Sequence, residues 1–171
     1  DQLALSYYKS FDLPVKIVRP FNTYGPRQSA RAVIPTIISQ CNSKNKKIKL
    51  GSLSPTRDLT FVKDTCEGFL EIYKSDSFYG EATNIGMNSE VSIGDLAHEI
   101  MNIIDVNIPI ANDEKRVRPK NSEVERLVCN NYKLINGSSW KPQYDLKQGL
   151  METIDWLKDN DHSYKPEHYH V

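Results

Sequence analysis

The chain has 171 residues, of which 39% are hydrophobic and 26% are charged, and its 22 basic residues balance its 22 acidic residues. This composition is that of an ordinary globular protein, and the zero net charge provides no field that would attract nucleic acid or an anionic membrane. No apolar run approaches the roughly 20 residues that a bilayer requires. We therefore expect neither a nucleic-acid partner nor a membrane partner.

The three cysteines, Cys41, Cys66 and Cys129, are far apart and form no C-x-x-C pair. This spacing argues against a disulfide framework and against a structural zinc site, and it favours a reducing cytoplasm. The C-terminal tail contains one His-x-His pair, His168 and His170, but no cysteine accompanies it. No metal site is therefore predicted.

The first predicted strand leads into a loop that is rich in polar side chains. A helical pattern runs to about Phe11, and the apolar run Val15–Val18 then predicts a buried strand. Pro20 and Gly25-Pro26 indicate that the segment from Arg19 to Gln28 is a loop. In open α/β sheets, ligands bind beyond the carboxyl ends of the strands. We therefore expect this loop to contribute to a ligand site.

Helices and strands alternate along the rest of the chain. Helical spacing of apolar residues predicts helices over 33–41 and from about 63 to 73, and short apolar runs predict strands at 48–51, 57–62 and 82–86. The second of these helices has one apolar face, formed by Cys66, Phe69, Leu70 and Tyr73. This alternation is typical of an α/β fold.

Two sequence patterns mark helix starts in the second half of the chain. Ser92-x-x-Asp95 and Asp145-x-x-Gln148 both resemble capping boxes, and Asn131 is a candidate cap for a short helix. A further strand is predicted at 108–111. The sequence contains no G-x-G-x-x-G, so it lacks the turn that holds the phosphates of a dinucleotide.

Four groups of motifs resemble a known family. In chain order they are Arg19-Pro20-Phe21-Asn22-Thr23-Tyr24-Gly25-Pro26-Arg27, then Arg57-Asp58-x-x-Phe61-Val62-x-Asp64, then Asn84-Ile85-Gly86, and then Arg118-Pro119-x-x-x-Glu123 followed by Trp140-x-Pro142 and Gly149-Leu150-x-x-Thr153-Ile154-x-Trp156. From Asp1 to about Asn160, the chain resembles the C-terminal half of an extended short-chain dehydrogenase/reductase (NAD-dependent epimerase/dehydratase). Its motifs are most similar to those of nucleotide-sugar 4,6-dehydratases such as UDP-N-acetylglucosamine 4,6-dehydratase.

The resemblance implies a fold and an activity. The implied fold is the C-terminal part of a Rossmann-like doubly wound sheet with a small mixed α/β substrate-binding subdomain, over residues 1–160, followed by a tail at 161–171. The complete enzyme would use NAD or NADP, and no metal, to oxidise a nucleotide sugar at C4, eliminate water and reduce C6. Its catalytic Tyr-x-x-x-Lys is expected upstream of Asp1, so no catalytic residue is assigned to this chain, which we expect to be inactive alone.

The same resemblance assigns binding residues. Pro20 is expected beside the nicotinamide of the cofactor. The residues expected to contact a nucleotide-diphosphate sugar, with a UDP-sugar favoured, are Asn22, Val33, Lys49, Leu50, Arg57, Asn84 and Arg118. Arg57 and Arg118 could instead form ion pairs with neighbours such as Asp58 or Glu123, the asparagines could serve turns, and the residues at 33, 49 and 50 could belong to the core.

Three further expectations follow from the same resemblance. The opening helix, with Leu3, Tyr7 and Phe11, is expected to form a homodimer interface in the complete protein. A 4-epimerase or decarboxylase of the same superfamily is an alternative to the dehydratase. A non-catalytic nucleotide-sugar-binding fragment is the second alternative.

Overall fold

A computed structural model describes residues 1–43, 47–117 and 122–160. The helices of these residues are α1 (Gln2–Phe11), α2 (Val33–Asn42), α3 (Val62–Lys74), α4 (Ile93–Ile104), α5 (Tyr132–Gly137) and α6 (Leu146–Asp159). The strands are β1 (Ile17–Pro20), β2 (Asn22–Tyr24), β3 (Ile48–Leu50), β4 (Thr56–Arg57), β5 (Leu59–Phe61), β6 (Ala82–Ile85), β7 (Val91–Ser92), β8 (Ile110–Asn112) and β9 (Arg126–Leu127).

Among the described residues the strands form four small sheets, and three of the four strand pairs with a known register are parallel. β1 pairs with β6, β3 pairs with β8, and β4 pairs with β9, all in parallel, whereas β4 and β7 are antiparallel. β2 is hydrogen-bonded to β5. The predicted mixed α/β fold with parallel strands is confirmed.

The chain divides into two compact units that are interleaved in sequence. Unit 1 comprises residues 1–23, 58–90 and 128–144, and unit 2 comprises residues 24–57, 91–127 and 145–171. The predicted boundary between a domain at 1–160 and a tail stays a prediction, because the tail lies outside the described residues.

Unit 1 has its apolar core between the parallel strands and two helices. The buried cluster consists of Ile72, Phe78, Ile85, Leu134 and Trp140, with Val18 packed against it. α3 can approach β6 closely because Gly68 has no side chain: a Cβ at this position would lie 2.8 Å from Cδ1 of Ile85. The small residue therefore brings the helix onto the strand.

Unit 2 has its core among three helices. Helices α2, α4 and α6 pack against one another. Their fully buried apolar residues include Ile34, Ile37, Ile38, Leu96, Ile100, Leu150 and Ile154. Helical spacing of these residues places them on the inner faces.

Both predicted N-caps are confirmed, and the second of them is a complete capping box. The side chain of Ser92 accepts a hydrogen bond from the backbone N–H of Asp95. Asp145 and Gln148 form the complete reciprocal capping box. Each pattern joins residues three apart, so the sequence alone specifies the interaction. Asn131 does precede α5, but its side chain makes no capping bond and donates instead to the Gly86 carbonyl, at 2.8 Å.

The first strand lies two residues later than predicted. The carbonyl of Val15 accepts the N–H of Gly80, and the parallel pairing with β6 covers Ile17 to Pro20. Pro20 can end this strand because a proline lacks only the N–H, and Phe21 continues the pairing by donating to the Ile85 carbonyl, at 2.9 Å. The predicted loop also contains the short strand β2.

The apolar face of α3 is not the buried face. Phe69, Leu70 and Tyr73 are 45%, 50% and 79% exposed, and the buried residues of the helix include Thr65 and Gly68. The buried face carries Thr65, Gly68 and Ile72, and the missing side chain at Gly68 permits the close contact with β6, so Phe69, Leu70 and Tyr73 point away from the sheet. Within the described residues, no helix has both the length and the apolar character to cross a membrane.

The cysteines differ in exposure, which gives a first testable prediction. Burial raises the pKa of the Cys41 thiol to about 11, and burial together with the charge of Asp58 raises that of Cys129 to about 12, whereas Cys66 is exposed. Because the thiolate is the reactive form, we expect iodoacetamide at about pH 8 to label Cys66 alone in the native chain and all three cysteines after unfolding.

The same pKa shifts predict the direction of a pH effect on stability. The folded chain holds both thiol protons more tightly than an unfolded chain with the ordinary value of 9.0. The stabilisation that these two protonated thiols contribute to the fold is therefore complete below about pH 9 and is lost as the pH rises toward the pKa values of the folded chain.

The labelling pattern is checked by mass spectrometry of the labelled peptides. Equal labelling of all three cysteines in the native chain would contradict the prediction.

Candidate functional site

In unit 1, the carboxyl ends of β1 and β6 bring three of the predicted site residues to one edge. The parallel register places Arg19 opposite Asn84 and Pro20 opposite Ile85, and Asn22 follows Pro20 after one intervening residue. Pro20 is exposed, and Asn22 and Asn84 are partly buried. This is the edge at which open α/β sheets bind their ligands.

Asp58 fixes the loops around this edge. It is fully buried, and its carboxylate accepts hydrogen bonds from the backbone N–H groups of Met87, at 2.8 Å, and Cys129, at 3.0 Å. Its own carbonyl accepts the side-chain amide of Asn22, at 3.3 Å. A buried carboxylate that accepts backbone N–H groups is a strong anchor. Asp58 therefore ties together three segments that are distant in sequence.

Two further amides complete the edge. The side chain of Asn131 donates to Gly86, and that of Asn84 reaches the Asn130 carbonyl at 3.5 Å, a long contact. Gly86 must be glycine, because a Cβ there would overlap the Cys129 side chain. Neither Asp58 nor Asn131 was predicted as a site residue. The Arg57-Asp58 pair in the motif was the available signal for Asp58.

In unit 2, Arg57 stands at the end of β4 in a partly buried ion pair. Its Nη2 donates to Oε1 of Glu123 at 2.9 Å, and the side chains are only 15% and 14% exposed. Its Nη1 donates to the carbonyls of Thr56, at 2.8 Å, and Val124, at 2.6 Å. The alternative considered from the sequence, an ion pair with Glu123, is thus present. A guanidinium has five donors, so it can bond a phosphate in addition to these partners.

Lys49 and Leu50, which were predicted to contact the nucleotide, have backbone groups that form hydrogen bonds with other residues of this chain. The side-chain amide of Gln40 accepts the N–H of Lys49, at 2.8 Å, and donates to its carbonyl, at 3.2 Å. Leu50 is 3% exposed, and its carbonyl accepts the N–H of Asp113. Leu50 is therefore a core residue, as the alternative interpretation held, whereas the Lys49 side chain is exposed and Val33 is partly buried.

A shallow cavity of about 360 Å³ lies next to β3 in unit 2. Its lining is largely apolar and consists of Gly51, Ser52, Leu53, Ile110, Ala111, Asn112 and Val117. Gly51 has to be glycine, because a Cβ there would lie 2.5 Å from the carbonyl oxygen of Arg116. The volume falls at the lower end of the range of small-molecule sites.

Arg118, the second predicted phosphate ligand, lies outside the described residues. Within the described ranges, no group of three or more His, Cys, Asp or Glu residues is arranged to hold a metal ion. The described groups can bind anions and hydrogen-bond polar ligands through Arg57 and the asparagines.

Comparison with known proteins identifies the family. A family model described as GDP-mannose 4,6 dehydratase matches residues 1–153. The chain belongs to the GDP-mannose 4,6 dehydratase family. The predicted membership of the extended short-chain dehydrogenase/reductase superfamily is thereby confirmed.

The proteins that resemble this chain include dehydratases and an epimerase. The human dTDP-D-glucose 4,6-dehydratase is 34% identical over 165 residues, which cover 94% of this chain and 46% of the human protein. The dTDP-glucose 4,6-dehydratase of Bacillus anthracis, solved with NAD, superimposes with a TM-score of 0.82 at 30% identity, over 97% of this chain and 51% of that one. The UDP-glucuronic acid 4-epimerase of Bacillus cereus, solved with UDP-glucuronic acid and NAD, superimposes with a TM-score of 0.82 at 25% identity. The match covers 93% of this chain and 50% of the epimerase.

The chain thus spans about half the length of the curated relatives that it matches. The likeness of fold confirms the predicted Rossmann-like α/β class. The roles of individual site residues stay predictions.

Proposed function

We propose that the chain is the nucleotide-sugar-binding half of an NAD-dependent nucleotide-sugar 4,6-dehydratase. The observation that carries the proposal is the family match over residues 1–153, supported by the dehydratase at 34% identity. The complete reaction oxidises the sugar at C4, eliminates water and reduces C6, and NAD, when bound, supplies the reversible acceptance of a hydride. The sequence of this chain holds no Tyr-x-x-x-Lys, so its contribution is to bind and orient.

In unit 2, Arg57 is the proposed ligand of the diphosphate. A planar guanidinium binds phosphate oxygens bidentately, which a lysine cannot do. Arg57 is already oriented by two backbone carbonyls, so little conformational entropy is lost when an anion arrives. Arg118 is proposed as a second phosphate ligand on the basis of the motif alone.

The apolar cavity beside β3 is the proposed position of the nucleobase. Its lining suits the flat apolar face of a base, and Lys49 provides an exposed cation on the neighbouring strand. The relatives' names mention dTDP, UDP and GDP sugars. A UDP-sugar stays our proposal, and the affinities of the chain for UDP, dTDP and GDP would test it.

In unit 1, the edge formed by β1 and β6 is proposed to serve the nicotinamide and the sugar. Pro20 is exposed at the carboxyl end of β1, as expected of a residue whose backbone lies against a bound ring. Asn22 and Asn84 offer amide groups for hydroxyls, and Asp58 holds Asn22 in place. These residues fit a dinucleotide or a sugar at this edge without supplying the phosphate-binding turn.

A 4-epimerase is the second candidate, because the B. cereus enzyme has the same fold over 93% of this chain. The product formed by the complete protein separates the two reactions: a dehydratase yields a 4-keto-6-deoxy sugar, and an epimerase yields the C4 epimer.

A cytoplasmic location and a homodimer formed through α1 also belong to the proposal. In support of the dimer, Leu3 and Phe11 on α1 are 73% and 72% exposed.

The role of Arg57 gives a direct test of binding. We expect near-millimolar UDP to raise the melting temperature of the chain, and Arg57→Ala to weaken UDP binding at least about tenfold, the equivalent of about 1.4 kcal/mol, because a charge-assisted bidentate contact is lost. Calorimetric titration measures the affinity. Arg31→Ala, which removes an exposed arginine from the same unit, is the matched control. Equal affinities for UDP in the Arg57 and Arg31 variants would contradict the assignment.

A further inference from the structure

The carboxylate of Glu123 stands against the arginine that is proposed to bind phosphate. The pair is formed by Nη2 of Arg57 and Oε1 of Glu123, and both side chains are largely shielded from water. Charges in such a position are weakly screened by solvent and salt. A phosphate that reaches Arg57 therefore also experiences the negative charge of Glu123.

The position of Arg57 does not depend on this carboxylate alone. Its Nη1 is bonded to the carbonyls of Thr56 and Val124, and Thr56 is paired through its backbone with Arg126 in β9. Glu123 is held separately, because Oε1 also accepts the N–H of Val124, at 3.1 Å. Glutamine at 123 can keep the Oε1 acceptor and lose the charge. The electrostatic effect of Glu123 can thus be separated from its structural effect.

A fixed negative charge beside a phosphate site repels ligands in proportion to their own negative charge. A nucleotide sugar is a diphosphate diester with two charges, whereas a free nucleoside diphosphate ends in a phosphate monoester whose second pKa is about 6. At about pH 7.5, the free nucleotide therefore carries about one charge more. Glu123 opposes it more strongly than it opposes the sugar-bearing ligand.

We propose that Glu123 is a specificity-determining residue that favours nucleotide sugars over free nucleoside diphosphates at Arg57. The inference rests on the proposed function, in which Arg57 binds the diphosphate. It goes further by assigning selection by charge to a residue that makes no proposed contact with the sugar or the base. Such selection would limit the competition of free nucleotide for the site.

The test compares UDP with UDP-glucose by calorimetric titration at about pH 7.5. We expect Glu123→Gln to tighten UDP binding about fivefold and UDP-glucose binding only about threefold, because the removed repulsion scales with ligand charge. Glu125→Gln, which makes the same change at an exposed position of the same segment, should leave the ratio of the two affinities unchanged. Glu123→Asp keeps the charge and should keep most of the preference for UDP-glucose.

Two outcomes distinguish the inference from the proposed function. If Arg57→Ala weakens UDP binding but Glu123→Gln and Glu125→Gln give the same UDP to UDP-glucose ratio, the charge selection is overturned and the role of Arg57 stands. If Arg57→Ala binds UDP like the wild type, both are overturned. Should Glu123→Gln fail to fold, the test uses the wild-type chain. Lowering the pH to about 5.5 protonates the terminal phosphate of UDP and should reduce the preference for UDP-glucose. A ratio of UDP to UDP-glucose affinities that does not change with pH would contradict the proposal.

Discussion

Replacing Asp58 with alanine is expected to lower the free energy of unfolding by about 3 kcal/mol, because each buried N–H left without an acceptor costs about 1–3 kcal/mol. The carboxylate accepts the N–H groups of Met87 and Cys129 from a fully buried position. Relief of the buried charge offsets part of the loss. Asparagine at 58 offers one acceptor only, and its NH₂ group faces the second N–H, so it should also destabilise the chain.

Urea denaturation followed by circular dichroism measures the effect. Asp155→Ala is the matched control, because this aspartate is 72% exposed and its loss should change stability by less than about 0.5 kcal/mol. A second measurement addresses the local structure: Asp58→Ala should release the backbone of Cys129 and make its thiol reactive toward iodoacetamide. Asp58→Ala with the stability of the control and a protected Cys129 would show that the carboxylate is not an anchor.

Replacing Trp140 with alanine is expected to cost about 4 kcal/mol, within the usual range for removing a large aromatic side chain from a core. Trp140 is 1% exposed and packs in the cluster with Phe78, Ile85 and Leu134. Its Nε1 also donates to the Asp64 carbonyl, at 2.9 Å. The substitution therefore leaves a cavity and an unpaired carbonyl together.

Phenylalanine at 140 separates these two causes. It retains most of the apolar volume and loses the hydrogen bond, so we expect a cost of about 2 kcal/mol. Tyr132→Ala, on the neighbouring helix α5, removes an aromatic ring that is 73% exposed and serves as the control, with a change of less than about 0.5 kcal/mol. If Trp140→Ala and Tyr132→Ala have equal midpoints in urea, the assignment of Trp140 to the core is wrong.

Local interactions could be predicted from the sequence, and non-local ones could not. The caps at Ser92 and Asp145 depend on a residue three positions away, so a short pattern specifies them. The contacts of Asp58 join it to Met87 and Cys129, which are 29 and 71 residues distant. No periodicity encodes such a contact, which forms only when the two strands and their loops have folded.

The prediction of burial failed where a small residue decides the packing. On α3, apolar spacing pointed to the face that carries Phe69 and Leu70, but the helix contacts β6 through Gly68. Similarly, the side-chain amide of Gln40 forms hydrogen bonds with both the N–H and the carbonyl of Lys49. A glutamine in a predicted helix gives no sign of these bonds in the sequence. The motifs named the candidate site residues and offered Glu123 as a partner of Arg57, whereas other internal partners, such as Asn131 for the Gly86 carbonyl, became visible only in the structure.

The interleaving of the two units has a consequence for how the chain can be divided. Each unit consists of three segments, so the backbone passes from one unit to the other five times, and one of these passages is the peptide bond between Arg57 and Asp58. The proposed phosphate ligand and the buried anchor of unit 1 are therefore consecutive residues. No single cut separates the two units, because a cut anywhere between residues 24 and 144 divides the sequence of both. Folding must close long loops before either unit is complete, which is characteristic of slow folding with high contact order.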